Sequence, residues 1–446
     1  MKKVFAFIAA FLFSVIPLFA ERALAVQDSK DITNVVKDVA ESSKVVEITD
    51  SVKESIRDAI ERYAEKKGII FGKTQHGKFF VYSIQLVNRS PDSPYFGNAR
   101  IAAFERAWLD AQKQIAAYLS QRIASNTYRK LFRNDSEGAE NIELSNWDVI
   151  KAKIVGLTDA ALNKALKELG VDPSKFGNLT VEKKRNLLFD SIVKEVIRKT
   201  YAELAGTVII QTFEGEKNGN YAVGVVAMYS PKLKLVTKAI LNKQIPPFKS
   251  KIGHPISYYL PSKPEDYLRT WGVRIVVDEN NLPALLSFGQ WSYAYTAGNK
   301  ERKRGYAMEQ ASMLADSYIS EFLNSRVFAE ESSKFGENIR TDAIFKNGDT
   351  FTETASRIID IEQKKIKRTS KVRISGIVTV KRKLLRLPSG QEVAVVVKVW
   401  TYENMRGAEE LKNLKRSKFK SQKHQKSYKS GDFISHGKDM TDINDF

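Results

Sequence analysis

Two stretches decide how this chain is read. The first is Thr207-Val208-Ile209-Ile210 with Ala222-Val223-Gly224-Val225-Val226-Ala227-Met228-Tyr229. The second is Ile377-Val378-Thr379-Val380 with Val393-Ala394-Val395-Val396-Val397-Lys398-Val399-Trp400. Turn residues part each pair of apolar runs, Lys217-Asn218-Gly219-Asn220 in one and Pro388-Ser389-Gly390 in the other. Apolar β-formers split by such residues predict antiparallel hairpins. Each hairpin ends on an aromatic residue and runs into a short helix, Pro231–Leu241 and Arg406–Leu414.

Working outwards, the same plan recurs on both sides. A first unit, 69–243, opens with Ile69-Ile70-Phe71, a turn at Gln75-His76-Gly77 and a strand from Phe79 to Val87. A second unit, 272–414, opens with Val273 to Val277, a turn at Asp278-Glu279-Asn280-Asn281 and a strand from Ala284 to Tyr295. A long helix follows in each. Ala107, Ala111, Ile115, Tyr118 and Leu119 mark one face of the first; Ala307, Ala311, Ala315, Tyr318 and Ile319 hold the same relative positions in the second. Small residues four apart let a helix lie close on a sheet. A second helix is expected at 182–204 and at 353–367. The order ββα…αββα, given twice, predicts an α+β fold: two tandem duplicated units of antiparallel hairpins with long helices packed on one face, preceded by an N-terminal helical segment.

The flanks differ in character. Residues 26–68 read as two helices, with Ile32, Val35, Val36 and Val39 on one stripe and Val52, Ile56, Ala59, Ile60 and Tyr63 on another. Ser51 and Glu54 read as a capping box at the start of the second. An insertion near 134–180 adds small helices to the first unit. Residues 244–271 hold Pro246, Pro247, Pro255, Pro261 and Pro264, five of the twelve prolines, and read as a semi-rigid linker with few contacts across it. The polar, basic tail 415–446 reads as lacking structure. At the other end, Lys2 and Lys3, the apolar run Val4 to Phe19 and Ala23-Leu24-Ala25 are the three parts of a secretory signal peptide over 1–25, with the mature chain starting at Val26. A periplasmic or secreted protein is the expectation.

The opening strand, the Ala-spaced helix (Arg100 to Tyr118, again Lys300 to Tyr318) and the Val-rich closing hairpin resemble the N-terminal domain of flagellar assembly protein T and related envelope lipoproteins. The resemblance implies an α+β, non-enzymatic protein that builds envelope structures around secretion and flagellar machines. It supplies no catalytic residues. The lipoprotein branch carries a lipidated Cys, and this chain has none.

Composition narrows the chemistry further. The 446 residues carry 72 Lys and Arg against 52 Asp and Glu, a formal charge of +20, with no Cys and four His. Disulfides, zinc thiolate sites, iron–sulfur clusters and thiol nucleophiles are excluded. His76, His254, His424 and His436 have no metal-ligand spacing, so no metal and no cofactor is expected. No Gly-x-Ser-x-Gly elbow, phosphate-binding Gly-x-x-x-x-Gly-Lys loop or His-Glu-x-x-His motif occurs. Glu105 with Asp110, and Glu309 with Asp316, are carboxylate pairs that fit either glycan acid–base chemistry or a solvated helix face. Trp291, Tyr293 and Tyr295 share one strand face, which fits either a stacking surface or packing beneath the long helix. No small-molecule substrate follows from any of these.

Charge is the remaining signal. Lys364, Lys365, Lys367, Arg368, Lys371, Arg373, Lys381, Arg382, Lys383 and Arg386 crowd residues 363–386 with no acidic residue among them. Residues 411–430 add further Lys and Arg, again without a carboxylate. A one-sign cluster attracts polyanions or serves as a solubility device. A strand from Val372 to Val380 is expected to bury Val372, Ile374, Val378 and Val380 and to turn Arg373, Ser375 and Thr379 away. The sequence therefore supports three functions in this order: a non-enzymatic structural or assembly component with envelope proteins as partners; a module binding an anionic membrane surface, lipopolysaccharide or nucleic acid through the basic strand and tail; and a cell-wall or glycan hydrolase.

Overall fold

The computed structural model describes residues 45–132, 146–247, 252–293, 300–335, 350–354, 356–357, 359–360, 374–387, 389–413 and 433–438. The signal-peptide region, the first N-terminal helix, Tyr295, and Lys364, Lys365, Lys367, Arg368, Lys371 and Arg373 lie outside the described residues. The chain divides into two compact units, Met1–Asp50 and Ser51–Phe446. Both repeated units, called the first and the second below, lie within Ser51–Phe446.

Both closing hairpins form. Strands β3 (Thr207–Lys217) and β4 (Asn220–Tyr229) turn at Asn218 and Gly219, whose φ angles of 53° and 74° give the tight left-handed corner that Asn-Gly favours. Their counterparts are β7 (Ile377–Arg386) and β8 (Glu392–Trp400). The opening strands are β1 (Thr74–Gln75) and β2 (Lys78–Leu86) in the first unit, β5 (Gly272–Val277) and β6 (Pro283–Ser292) in the second. The sheets are antiparallel, in the orders β1-β2-β4-β3 and β5-β6-β8-β7, the same order twice.

The registers repeat as well. β3 pairs Thr207 with Tyr229, Val208 with Met228 and Ile209 with Ala227, then skips Ile210. β7 pairs Ile377 with Trp400, Val378 with Val399 and Thr379 with Lys398, then skips Val380. A bulge therefore falls on the fourth residue of the equivalent strand in each unit. This register agreement aligns the units residue by residue: Phe213 answers to Lys383, Glu216 to Arg386, Tyr221 to Glu392.

The long helices are α2 (Phe96–Phe132) and α9 (Lys300–Phe335). Ala107, Ala111, Ala307, Ala311 and Ala315 are all fully buried. A Cβ built on Gly289 of β6 would lie 2.0 Å from the Ala311 carbonyl oxygen, so helix and sheet touch backbone to backbone. Behind α2 pack α3 (Asp148–Val155), α4 (Asp159–Glu168) and α5 (Val181–Leu204), which enclose Trp147, Ile150, Leu162 and Leu188. Short helices close each unit, α6 (Pro231–Leu241) and, after the linker helices α7 (Ile256–Tyr259) and α8 (Pro264–Leu268), α10 (Tyr402–Asn413).

The second face of each sheet is also covered. On the first it is covered by α1 (Val45–Lys67), whose Ile56 and Ile60 sit over Gly224. This helix starts at Val45, so Ser51 and Glu54 fall inside it rather than at its cap. On the second sheet the Pro-rich segment takes that place. The Gln290 side-chain amide donates to the carbonyls of Tyr267, Leu268 and Thr270, and Tyr259 donates to the Val277 carbonyl. Tyr259, Tyr267 and Trp271 are buried in a core continuous with both units. The expectation of a linker with few contacts is therefore corrected. The aromatics among and after its prolines carry too much apolar surface to stay in water.

Three further expectations change. Ile69-Ile70-Phe71 makes no strand, because Gly68 and Gly72 turn the chain at φ 66° and 73° and the Gln75 side chain ties Ile70 N–H to the Gly68 carbonyl. Val378 is 41% exposed, since β7 runs to Arg386 along the sheet edge and Val380 is the bulge residue. The tail is not structureless throughout: β9 (Phe433–His436) pairs with β3 from Phe213 to Glu216 and covers its edge. A four-residue strand in a Lys-rich stretch has too short an apolar pattern to show in composition.

Candidate functional site

The most concentrated polar chemistry lies where the two units meet. Arg100 near the start of α2 and Glu214 of β3 are each 1% exposed. The Arg100 Nη2 donates to both Glu214 carboxylate oxygens at 2.7 and 2.8 Å and to the Leu268 carbonyl at 2.9 Å. Glu214 also accepts from Tyr221 Oη at 2.5 Å and Trp271 Nε1 at 2.6 Å. The guanidinium lies 5.1 Å from the Trp271 ring centre, and Trp271 stacks on Phe104. Burial opposes the charge on Arg100, yet Glu214 and Tyr221 outweigh it and hold its pKa above the ordinary value. Burial, reinforced by Glu214, pushes the Tyr221 phenol well up, so it stays a donor. This cluster joins a helix and two strands of the first unit to the linker and the start of β5. Alongside it, Arg274 donates to Thr212 and to the Trp271 carbonyl, and Gln391 of the second unit accepts from Gly97 N–H at the start of α2.

The second unit repeats the idea with different residues. Glu392, the counterpart of Tyr221, is 2% exposed in its side chain. It accepts from Arg304 at 2.6 and 2.8 Å and from Tyr293 at 2.5 Å, with Arg386 at 3.3 Å and Lys300 at 3.7 Å. The hydrogen bonds from Arg304 pull its pKa down to about 2 against the cost of burial, and burial with Glu392 pushes Tyr293 up to about 12. Trp291 and Tyr293 pack beneath α9 with Ala307 and Ala311, which settles their role as core and support.

An open cleft of about 450 Å³, its mouth included, lies between the units, lined by Phe104, Trp108, Val208, Val273, Tyr318 and Phe322 among others. Tyr318 is the repeat counterpart of Tyr118, but the two differ. Tyr118 stacks on Phe79 and shares a hydrogen bond with Thr74. The buried Tyr318 hydroxyl finds no hydrogen-bond partner among the described residues, and burial pushes its pKa well up.

The sequence-derived candidates scatter. Asp110 accepts from Gln114, and Asp316 pairs with Lys398 on the neighbouring strand. His76 occupies a turn at φ 49°, and His254 stacks on Tyr258. No group of three metal-binding side chains occurs among the described residues. Of the basic cluster, Lys381, Arg382, Lys383 and Arg386 fall on β7, the edge strand of the second sheet. Lys383 lies over the Tyr267 ring at 4.6 Å and Arg386 pairs with Glu392, whereas Lys381 and Arg382 project into solvent. Sequence reading missed Arg100, Glu214 and Glu392. The signal was slight: Glu214 follows the apolar run Val208-Ile209-Ile210 and Phe213 in a strand that is buried as far as Gly215, and a charge there is buried only with a partner.

Comparison with known proteins adds fold but no activity. A family model described as a Domain of unknown function (DUF6844) matches residues 147–242, from Trp147 through the first closing hairpin to the end of α6. The crystal structure of a hypothetical protein from Francisella tularensis is similar with a TM-score of 0.51 and 23% identity, over 78% of this chain and 91% of that one. At that identity the likeness is one of fold. No curated protein sequence matches. Nothing among the described residues or these comparisons indicates an enzymatic activity.

Proposed function

We propose that this chain is a non-enzymatic, exported component of a bacterial envelope complex, acting by protein contacts as a structural or assembly element. The observation that carries the reading is the Arg100–Glu214–Tyr221–Trp271 cluster. A buried charge pair adds little net stability but is costly to break, so it favours one geometry over alternatives. Here it holds two sheets and the linker as one body, and a fixed spacing of two surfaces is what a scaffold requires. The signal-peptide features at 1–25 and the resemblance to the flagellar assembly protein T family support the compartment.

Cross-linking of the tagged native protein in intact cells, followed by identification of the partners, tests this. Defined envelope proteins should be captured. Recovery of the chain from the cytoplasm with none attached would overturn it. Lys381 and Arg382, exposed and without ion partners among the described residues, favour a second reading as a polyanion-binding module. Binding of that kind should weaken steeply as salt rises, whereas a packed protein interface should hold.

A further inference from the structure

We infer that the outer edge of β7 accepts an extended, acidic segment of a partner protein as a fifth strand of the second sheet; this rests on the protein-contact role proposed above. The first sheet supplies the precedent. There β9 lies along the outer edge of β3, pairing Phe213 with His436 through to Glu216 with Phe433, and Gly437 N–H donates to the Thr212 carbonyl at 2.8 Å. The shared bulge makes Lys383–Arg386 the counterpart of Phe213–Glu216 and Arg382 the counterpart of Thr212. Among the described residues no strand lies on the outer side of β7.

The direction of the free groups follows from the same register. Successive residues of a strand turn their N–H and C=O alternately to the two neighbours. The Thr212 carbonyl faces β9, so Thr212, Glu214 and Glu216 face outwards on β3. Arg382, Leu384 and Arg386 face outwards on β7. An edge of this kind is a template for another strand unless something blunts it.

Edge lysines and bulges are common blunting devices, but here neither does that work. The bulge at Val380 matches the one in β3, whose edge takes β9 regardless. Lys383 is folded onto Tyr267 and Arg386 onto Glu392, over the two faces of the sheet rather than across its edge. Lys381 and Arg382 are exposed and have no ion partner among the described residues, and β7 contains four cations with no carboxylate. Cross-strand pairs of opposite charge stabilise an antiparallel neighbour, so an acidic strand is the occupant this edge selects.

The test uses the full mature chain and a fluorescent peptide of alternating Val and Glu, followed by anisotropy. The peptide should bind, and its N-methylated form, which cannot pair on one side, should not. Arg382→Pro deletes one outward N–H and leaves the β7–β8 ladder intact; it should weaken binding about tenfold, the worth of roughly 1.4 kcal/mol. Arg382→Ala, which removes only the charge, should cost less. Should Arg382→Pro fail to fold, the comparison of the two peptides decides alone. Equal binding of both peptides would overturn the inference in favour of a non-specific polyanion surface. Absence of binding by either would overturn it while leaving the scaffold reading to the cross-linking experiment.

Discussion

Replacing Glu214 with Gln tests whether the buried cluster holds the two units together. Gln is nearly isosteric and keeps an oxygen within reach of Trp271 Nε1, so packing changes little. What changes is charge. Arg100, 1% exposed, loses the negative charge that accepts from its Nη2 at 2.7 and 2.8 Å and keeps as acceptors only two neutral oxygens, that of the Gln amide and the Leu268 carbonyl. Breaking a buried pair from one side costs about 3–5 kcal/mol, because an uncompensated charge stays in a low-dielectric site. A weakened hydrogen bond from Tyr221 adds about 1 kcal/mol. Arg100→Met should cost a similar amount, leaving Glu214 with two neutral donors. The double variant Arg100→Met with Glu214→Gln removes both charges and should cost clearly less than the two single changes together, by about 2 kcal/mol or more. Urea unfolding followed by tryptophan fluorescence and by circular dichroism measures all three. Trp271 sits in the cluster, so its emission also reports the local change. Single costs below about 1 kcal/mol, or strict additivity, would refute the view that this pair enforces the geometry.

Three shorter predictions follow from other sites. Glu392 has its folded pKa pulled down to about 2, so its contribution is complete above its ordinary value near 4.5 and is lost as pH falls towards 2. That contribution should be on the order of 2 kcal/mol after solvent screening, and Arg304→Leu should remove the larger part of it in urea titrations across the acid range, Tyr293 and Lys300 keeping the remainder. Tyr318→Phe removes a buried hydroxyl without a protein partner among the described residues and should raise stability by about 1 kcal/mol, read as a shift in urea midpoint. Gly289→Ala drives a methyl into the Ala311 carbonyl and the Ala315 amide, and thermal unfolding should show a loss of about 2–3 kcal/mol.

Both closing hairpins, both long helices and the repetition of the plan were legible in the residues themselves. They rest on local chemistry: Asn218-Gly219 sets a turn, alternating β-branched residues set strands, and Ala every fourth position sets a close helix face. These signals act over a few residues and need no knowledge of the rest of the chain. The doubled order of elements then limits the topology, because sequential hairpins pair with their neighbours.

The site was not legible in the same way. Arg100 and Glu214 stand 114 residues apart, and nothing in either neighbourhood names the other. The same holds for Glu392 and Arg304, for Gly97 and Gln391, and for the short strand Phe433–His436 lying on β3. Runs of Lys and Arg were visible, but which of them lean on a ring or a carboxylate and which reach solvent was not. A charge becomes meaningful only when tertiary packing decides whether it is desolvated and what faces it. The sequence by itself determined the two repeated α+β units through short-range turn and packing chemistry. The tertiary structure alone decided that they share one core, that a proline-rich segment covers the second sheet as a helix covers the first, and that one sheet edge is covered while its twin carries no strand among the described residues. Those outcomes depend on contacts between distant segments, and apolar burial and charge pairing drive them only once the chain has brought those segments together.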